Sequence, residues 1–276
     1  MCKEGGHRAE IPIGKTRSPG FSGLRRMMAA AFVVAVVAGG IAAISGFGIG
    51  SLLTPLLAAH FGAKLGVALV SVPHLVGTAA RFLPLRKQVD RRVFVHFGIL
   101  SAVGGLLGAL LNAGAGSPAL GMVFGGLLIF AGLSGLTGFV DRMHFGPIMA
   151  WVAGGLSGFF GGLVGNQGGI RSAALLGFDI RKEALVATAT AIALMVDGAR
   201  MPVYLAVQGK GIASAWPLLM VAIGGVLFCT FGGVHVLRRI EEKTFRRALF
   251  SLILALGVYM LMHSATVRDV ATALRH

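Results

Sequence analysis

Apolar positions run in long stretches separated by short polar turns. Stretches without Asp, Glu, Lys or Arg cover residues 27–63, 93–140, 143–170, 211–237 and 248–267. A bilayer core takes ~20 apolar residues per helix, so the two longest stretches each hold more than one segment. The pattern predicts long membrane helices at 28–48, 65–84, 93–112, 118–139, 147–165, 184–206, 215–237 and 247–265. Two short apolar pieces, 52–61 and 170–178, each follow a glycine-rich break. A helix of about ten residues rises only ~15 Å and cannot cross ~30 Å of hydrocarbon. Both pieces are predicted half-helices or re-entrant segments, which lipid tolerates only where protein or a cavity surrounds them. The predicted fold class is all-α: a polytopic membrane helix bundle of about eight full spans plus two short half-helices.

The pattern occurs twice. Residues 38–81 realign on 157–200 at a constant offset of 119. Gly46 then falls on Gly165, Gly50 on Gly169, Leu56 on Leu175, Ala68 on Ala187, Ser71 on Thr190 and Arg81 on Arg200. Two hydrophobic halves with matching interruptions are the sign of a secondary transporter whose site lies where broken helices meet. The expected organisation is a polar tail at 1–26, a membrane repeat at 27–140, a linker at 141–147, a second repeat at 148–267 and a tail at 268–276. A run of basic residues ahead of an apolar run has the form of a signal peptide. The run continues into the repeated motif, so it reads better as a retained first span, with Met27 or Met28 as an alternative start.

Composition agrees. Of 276 residues 55% are hydrophobic and only 13% charged, more apolar surface than a soluble domain of this size can bury. Glycine, 43 residues, suits close helix packing through small faces, as at Gly104, Gly105 and Gly108, at Gly125 and Gly126, and at Gly154, Gly155 and Gly158. The net charge of +15 sits mostly in loops and tails, including Arg86, Lys87, Arg91 and Arg92, then Arg238, Arg239, Lys243, Arg246 and Arg247. That placement is a positive-inside signal and an attraction to anionic lipid, and it argues against nucleic acid as a partner. Counting the short pieces gives five segments per half, an odd number that inverts the second half. With the amino terminus outside, 86–92, Arg142, Arg181, Lys182 and 238–247 all become cytoplasmic. This inverted layout is preferred over one of eight spans with a cytoplasmic amino terminus, which puts 238–247 outside.

Candidate chemistry gathers at the breaks. Gly46, Gly48, Gly50 and Ser51 form the first, and Gly165, Asn166, Gln167, Gly168 and Gly169 the second. Each is followed by a short piece whose helix amino terminus offers free N–H groups and a positive dipole end, a ready anion cradle. Asn166 and Gln167 contact either a substrate or the carbonyls of the broken helix. Arg171 opens the second piece, where a cation opposes the dipole unless an anion offsets it; a solvent-exposed loop is the plainer reading. Arg81 and Arg200 close the paired long helices. Intramembrane charges usually face a cavity or a partner; Arg200 has Asp197 one turn away, whereas Arg81 has only Asp90 nearby in sequence and is able to snorkel. His74 either relays protons or, as the favoured expectation, bonds a neighbouring carbonyl. No metal-ligand spacing, CxxC pair or nucleophile–base motif is present in the chain, whose two cysteines are Cys2 and Cys229. No cofactor and no enzymatic activity are expected.

At these breaks the chain resembles the sulfite exporter TauE/SafE family. The matching residues are Gly46-Phe47-Gly48-Ile49-Gly50 with Leu52-Leu53-Thr54-Pro55-Leu56-Leu57, Val67-Ala68-Leu69-Val70-Ser71, and the basic turn Arg86-Lys87-Gln88-Val89-Asp90. The second copy matches at Ser157-Gly158-Phe159-Phe160-Gly161-Gly162 through Gly169 and at Glu183-Ala184-Leu185-Val186-Ala187-Thr188. The resemblance covers residues 30–265 and implies a cytoplasmic-membrane permease for small sulfur-containing anions such as sulfite, sulfate or organosulfonates. Two departures bear on substrate choice and suit a member of altered or unassigned specificity: Gly165-Asn166-Gln167-Gly168-Gly169 replaces Gly-Ile-Gly-Gly-Gly, and Arg171 stands where the family is commonly apolar. The expected function is a permease or exporter working by alternating access, driven by a coupling ion such as H+ or Na+, with a homo-oligomer compatible with it. An ion channel and a non-catalytic membrane assembly subunit are the alternatives.

Overall fold

A computed structural model describes residues 21–45, 48–139, 147–165, 171, 175, 178, 181–233, 247 and 250–262. Among these the regular elements are all helical. The helices are α1 (Phe21–Ser45), α2 (Ile49–Phe61), α3 (Ala63–Leu85), α4 (Arg91–Gly114), α5 (Ser117–Thr137), α6 (Pro147–Val164), α7 (Lys182–Ser214), α8 (Trp216–Phe228) and α9 (Phe250–Met262). A 3₁₀ turn, Arg86–Gln88, joins α3 to α4, and a π turn, Cys229–Gly233, continues α8.

Among the described residues five helices are long and apolar enough to cross a bilayer: α1, α3, α4, α5 and α7. The other apolar helices are shorter. Of the eight long spans expected, those at 147–165, 215–237 and 247–265 correspond to these shorter helices. The ends of the last two fall outside the described residues. Two boundaries also move. The first helix starts at Phe21, inside the stretch expected to be a polar tail, and carries exposed Arg25 and Arg26 in its opening turns. The helix expected at 184–206 runs on to Ser214, 33 residues in all or about 50 Å. Lys210 did not stop it, because one solvated lysine between apolar turns costs a helix little. The expected short piece at 52–61 is α2, 13 residues with Pro55 inside and about 20 Å long.

Small faces set the packing. α4 packs most extensively on α6, and α1 on α8. A side chain on Gly104 would collide with the Gly155 carbonyl and the Phe159 amide; one on Gly158 would collide with the Ser101 backbone. Gly108 and Gly162 are confined in the same way, by Phe159 and Leu163 and by Gly105 and Ala109. On the other flank Gly39, the repeat mate of Gly158, meets the Val226 backbone. α5 approaches α9 through Gly125, against Gly257 and Leu261. Gly126 has open space beside it and takes no part, unlike its expected role. Backbones at this distance gain dispersion contacts and leave no room for lipid.

Gly158→Val should therefore lower stability by about 3 kcal/mol or more, while Gly126→Ala should leave it unchanged or slightly raised. Thermal unfolding of the two variants in detergent measures this, and equal midpoints would contradict the packing described.

Candidate functional site: a buried cluster of cations

The two breaks touch. α1 ends at Ser45, and Gly48 at φ 134° precedes α2. α6 ends at Val164, and Gly165 at φ 76° turns the chain away. Both angles are disfavoured for residues with a Cβ. Gly50 faces the Gly165 carbonyl so closely that a methyl there would overlap the oxygen. Thr54, fully buried one turn along α2, lies beside Gly165, and its hydroxyl has no hydrogen-bond partner among the described residues. The amide groups of Ile49, Gly50 and Ser51, in the first turn of α2, have no intrahelical acceptor.

The end of α6 is a negative dipole terminus with orphan carbonyls. Side chains donate to these carbonyls and to that of Gly161, which also accepts the Gly165 amide at 3.0 Å. Arg200 Nη1 donates to the Gly161 carbonyl, Tyr204 Oη donates to Gly162, and Asn112 Nδ2 donates to Leu163 at 2.8 Å. Arg200 and Tyr204 both come from α7, one turn apart, with the guanidinium 5.8 Å from the ring centroid. Asn112 comes from α4.

Arg200 is otherwise committed to Asp197, whose Oδ1 accepts from Nε at 3.0 Å and forms an ion pair with Nη2 at 2.7 Å. All three of its nitrogens are thus partnered. The other oxygen of Asp197, Oδ2, accepts from His74 Nδ1 at 2.7 Å. That bond crosses from α3 to α7, from the first half of the chain to the second. The favoured expectation that His74 bonds a neighbouring carbonyl is overturned: one turn of α7 brings a carboxylate within reach, and a charged acceptor is the stronger one.

Arg81 holds the repeat-matched position but not the matching partner. Its Nη2 donates to Thr78 Oγ1 at 3.2 Å, as Arg200 donates to Asp197, three residues earlier in each case. Thr78 and Asp197 occupy equivalent places at the 119-residue offset. A hydroxyl thus stands where the second copy has a carboxylate, and Arg81 keeps Nε and Nη1 without a partner among the described residues. The snorkelling alternative fails, since Arg81 is 7% exposed. Asp90, its nearest acid in sequence, instead caps α4 by accepting from the Val93 amide at 3.0 Å.

Arg171 is the third buried cation, 3% exposed, which removes the plainer reading of a solvent-exposed loop. It donates through Nη1 to the Ala189 carbonyl at 3.2 Å, and its Nε and Nη2 have no partner among the described residues. It lies within Coulombic range of Asp197, Arg200 and Arg81, and Asp197 also acts on Arg81. Among the described residues three buried arginines thus share one buried carboxylate, an excess of two positive charges, with four guanidinium nitrogens left open.

Of the residues expected at the site, Gly48, Gly50, Ser51, Gly165, Arg81, Arg171 and Arg200 are described. The structure brings Gly50 and Gly165 together, and separately couples the three arginines. Gly46, Asn166, Gln167, Gly168 and Gly169 lie outside the described residues. Sequence reasoning passed over Thr78, Thr54, Tyr204 and Asn112. Only Thr78 left a signal, its repeat equivalence to Asp197; the others are one-copy polar residues whose reach depends on helix rotation. Among the described residues no group of His, Cys, Asp and Glu could hold a metal ion.

Removing one member of a buried ion pair leaves the other uncompensated. Asp197→Ala is expected to cost about 3–5 kcal/mol, and adding Arg200→Met should restore part of that. Thermal unfolding of the single and double variants decides; a double variant no better than the single would show that the pair is not the source of the loss.

The sequence profile of the family described as Sulfite exporter TauE/SafE matches residues 31–260. No curated protein matches the chain, and no solved structure does. The match spans every described helix except the opening turns of α1 and the end of α9, so the chain belongs to the sulfite exporter TauE/SafE family of multi-pass membrane transport proteins.

Proposed function

We propose that this protein is a cell-membrane permease for small sulfur-containing oxyanions, sulfite and sulfate first among them, with Arg81 and Arg171 as the anion ligands. The observation that carries the reading is the pair of buried guanidinium groups that, among the described residues, have four unpartnered nitrogens and two uncompensated charges. A buried cation without a counter-charge is costly, and protein interiors rarely leave one unless an anion comes to it. A doubly charged oxyanion supplies both the charge and the acceptors, and charge-assisted bonds to guanidinium are among the strongest available. Arg200 plays a different part from the one expected of it. Its donors are spent on Asp197 and the end of α6, so it positions the break and adds positive potential without holding the substrate.

Alternating access of two inverted repeats fits the contacts. α4 packs on α6 as α8 packs on α1, and α4 packs on α7 as α8 packs on α3. Each pair maps onto its mate when the halves are exchanged, with α3 and α7 meeting each other at the centre. Rocking of one half on the other would then expose a central anion to each side in turn.

Purified protein in proteoliposomes should give saturable flux of radiolabelled sulfite or sulfate. Arg171→Leu should reduce that flux by about 100-fold or more, since two charge-assisted bonds are worth about 3–6 kcal/mol together. It should leave the unfolding midpoint unchanged or higher, because it removes unpaired buried donors. Flux by folded wild-type protein that Arg81→Leu and Arg171→Leu both leave intact would overturn the assignment.

A further inference from the structure

His74 has no counterpart in the second copy, where Ala193 stands. Its Nδ1 is committed to Asp197, and its Nε2 makes no hydrogen bond to any described residue. About a tenth of the side chain is exposed, whereas Asp197 is fully enclosed. A proton can therefore reach the pair only through the imidazole.

From this geometry we infer that His74 and Asp197 form a proton-binding pair through which the protein moves one proton together with its anion. The inference rests on the reading of Arg81 and Arg171 as the anion site. The proton comes from the aqueous phase and adds to Nε2, giving an imidazolium; Nδ1–H stays bonded to Asp197 and no other bond changes. His74 is faced by Asp197 and Arg200 from α7 and by Arg81 from its own helix, while Arg171 acts on Asp197. The other buried titratable groups among the described residues are Tyr204 on α7 and the Cys229 thiol beyond α8.

Charge makes the two binding events cooperative. With the site empty, an imidazolium would be a third uncompensated positive charge beside Arg81, Arg171 and Arg200. With a dianion bound, the excess of two is cancelled and the proton meets far less repulsion. By reciprocity the proton favours the anion to the same degree. It does so locally, because imidazolium neutralises the carboxylate that otherwise repels an incoming anion. The His74–Asp197 bond also joins the two halves of the chain. Movement of one half on the other would stretch that bond, and its strength depends on whether His74 carries the proton.

The test is sulfate binding to purified protein by calorimetry between about pH 6 and about pH 8, where histidine titrates. Sulfate stays a dianion throughout, so the ligand itself does not titrate. Affinity should tighten about tenfold from the alkaline to the acid end, with uptake of about one proton per sulfate measured from buffers of different ionisation enthalpy. His74→Gln, which can still donate to Asp197, should give an affinity flat across the range. Sulfate binding without pH dependence in wild type, or with the same dependence in His74→Gln, overturns the proton pair and leaves the anion site standing. If His74→Gln does not fold, the proton count on wild-type protein decides alone. Absence of sulfate binding at every pH overturns the anion site and the proton pair together.

Discussion

Among the described residues three buried guanidinium groups share one buried carboxylate in the middle of an apolar bundle, and much else in the molecule is arranged around that imbalance. Asp197 cannot neutralise all of them. It is bonded to Arg200 and to His74, and it reaches Arg81 and Arg171 only through space. Insertion scales put each intramembrane charge at about 2.5–3.5 kcal/mol. Backbone carbonyls offset part of that cost, Gly161 at the negative end of α6 and Ala189 within α7, and on the proposed reading an anion completes the balance.

The glycines are what allow the breaks to coexist with tight packing. α4 and α6 approach to backbone contact along Gly104, Gly108, Gly158 and Gly162. That contact brings Asn112 to the orphan carbonyl of Leu163. The same closeness fixes α6 against α7, so that Arg200 and Tyr204 can cap its last turn. The break at Gly165 is therefore supported by three side chains from two helices. The break before α2 has Gly48 at its start and the Gly165 carbonyl against Gly50. One packing device thus serves both the stability of the bundle and the shape of its centre.

How much of this was legible in the chain differs from feature to feature. The helical class, the long apolar helices and the glycine interruptions follow from length and hydropathy, which the bilayer constrains tightly. The pairing of Arg200 with Asp197 follows from i, i+3 spacing. Arg81, however, looked like a candidate for snorkelling, because nothing local says that α3 crosses α7 at that depth. His74 looked like a carbonyl binder because its partner stands 123 residues away. Tyr204 sits one turn past Arg200 on a helix that continues well beyond its expected end. The informative signal was the repeat itself: Thr78 against Asp197 marks the one place where the copies differ by a charge beside a shared arginine.

The most direct test of the anion site is to see the anion. Selenate, a heavier mimic of sulfate, diffused into crystals of the unlabelled protein should give an anomalous peak within hydrogen-bond distance of both Arg81 and Arg171. A peak elsewhere in the bundle, or none in crystals of protein that transports sulfate, would contradict the assignment of these two residues.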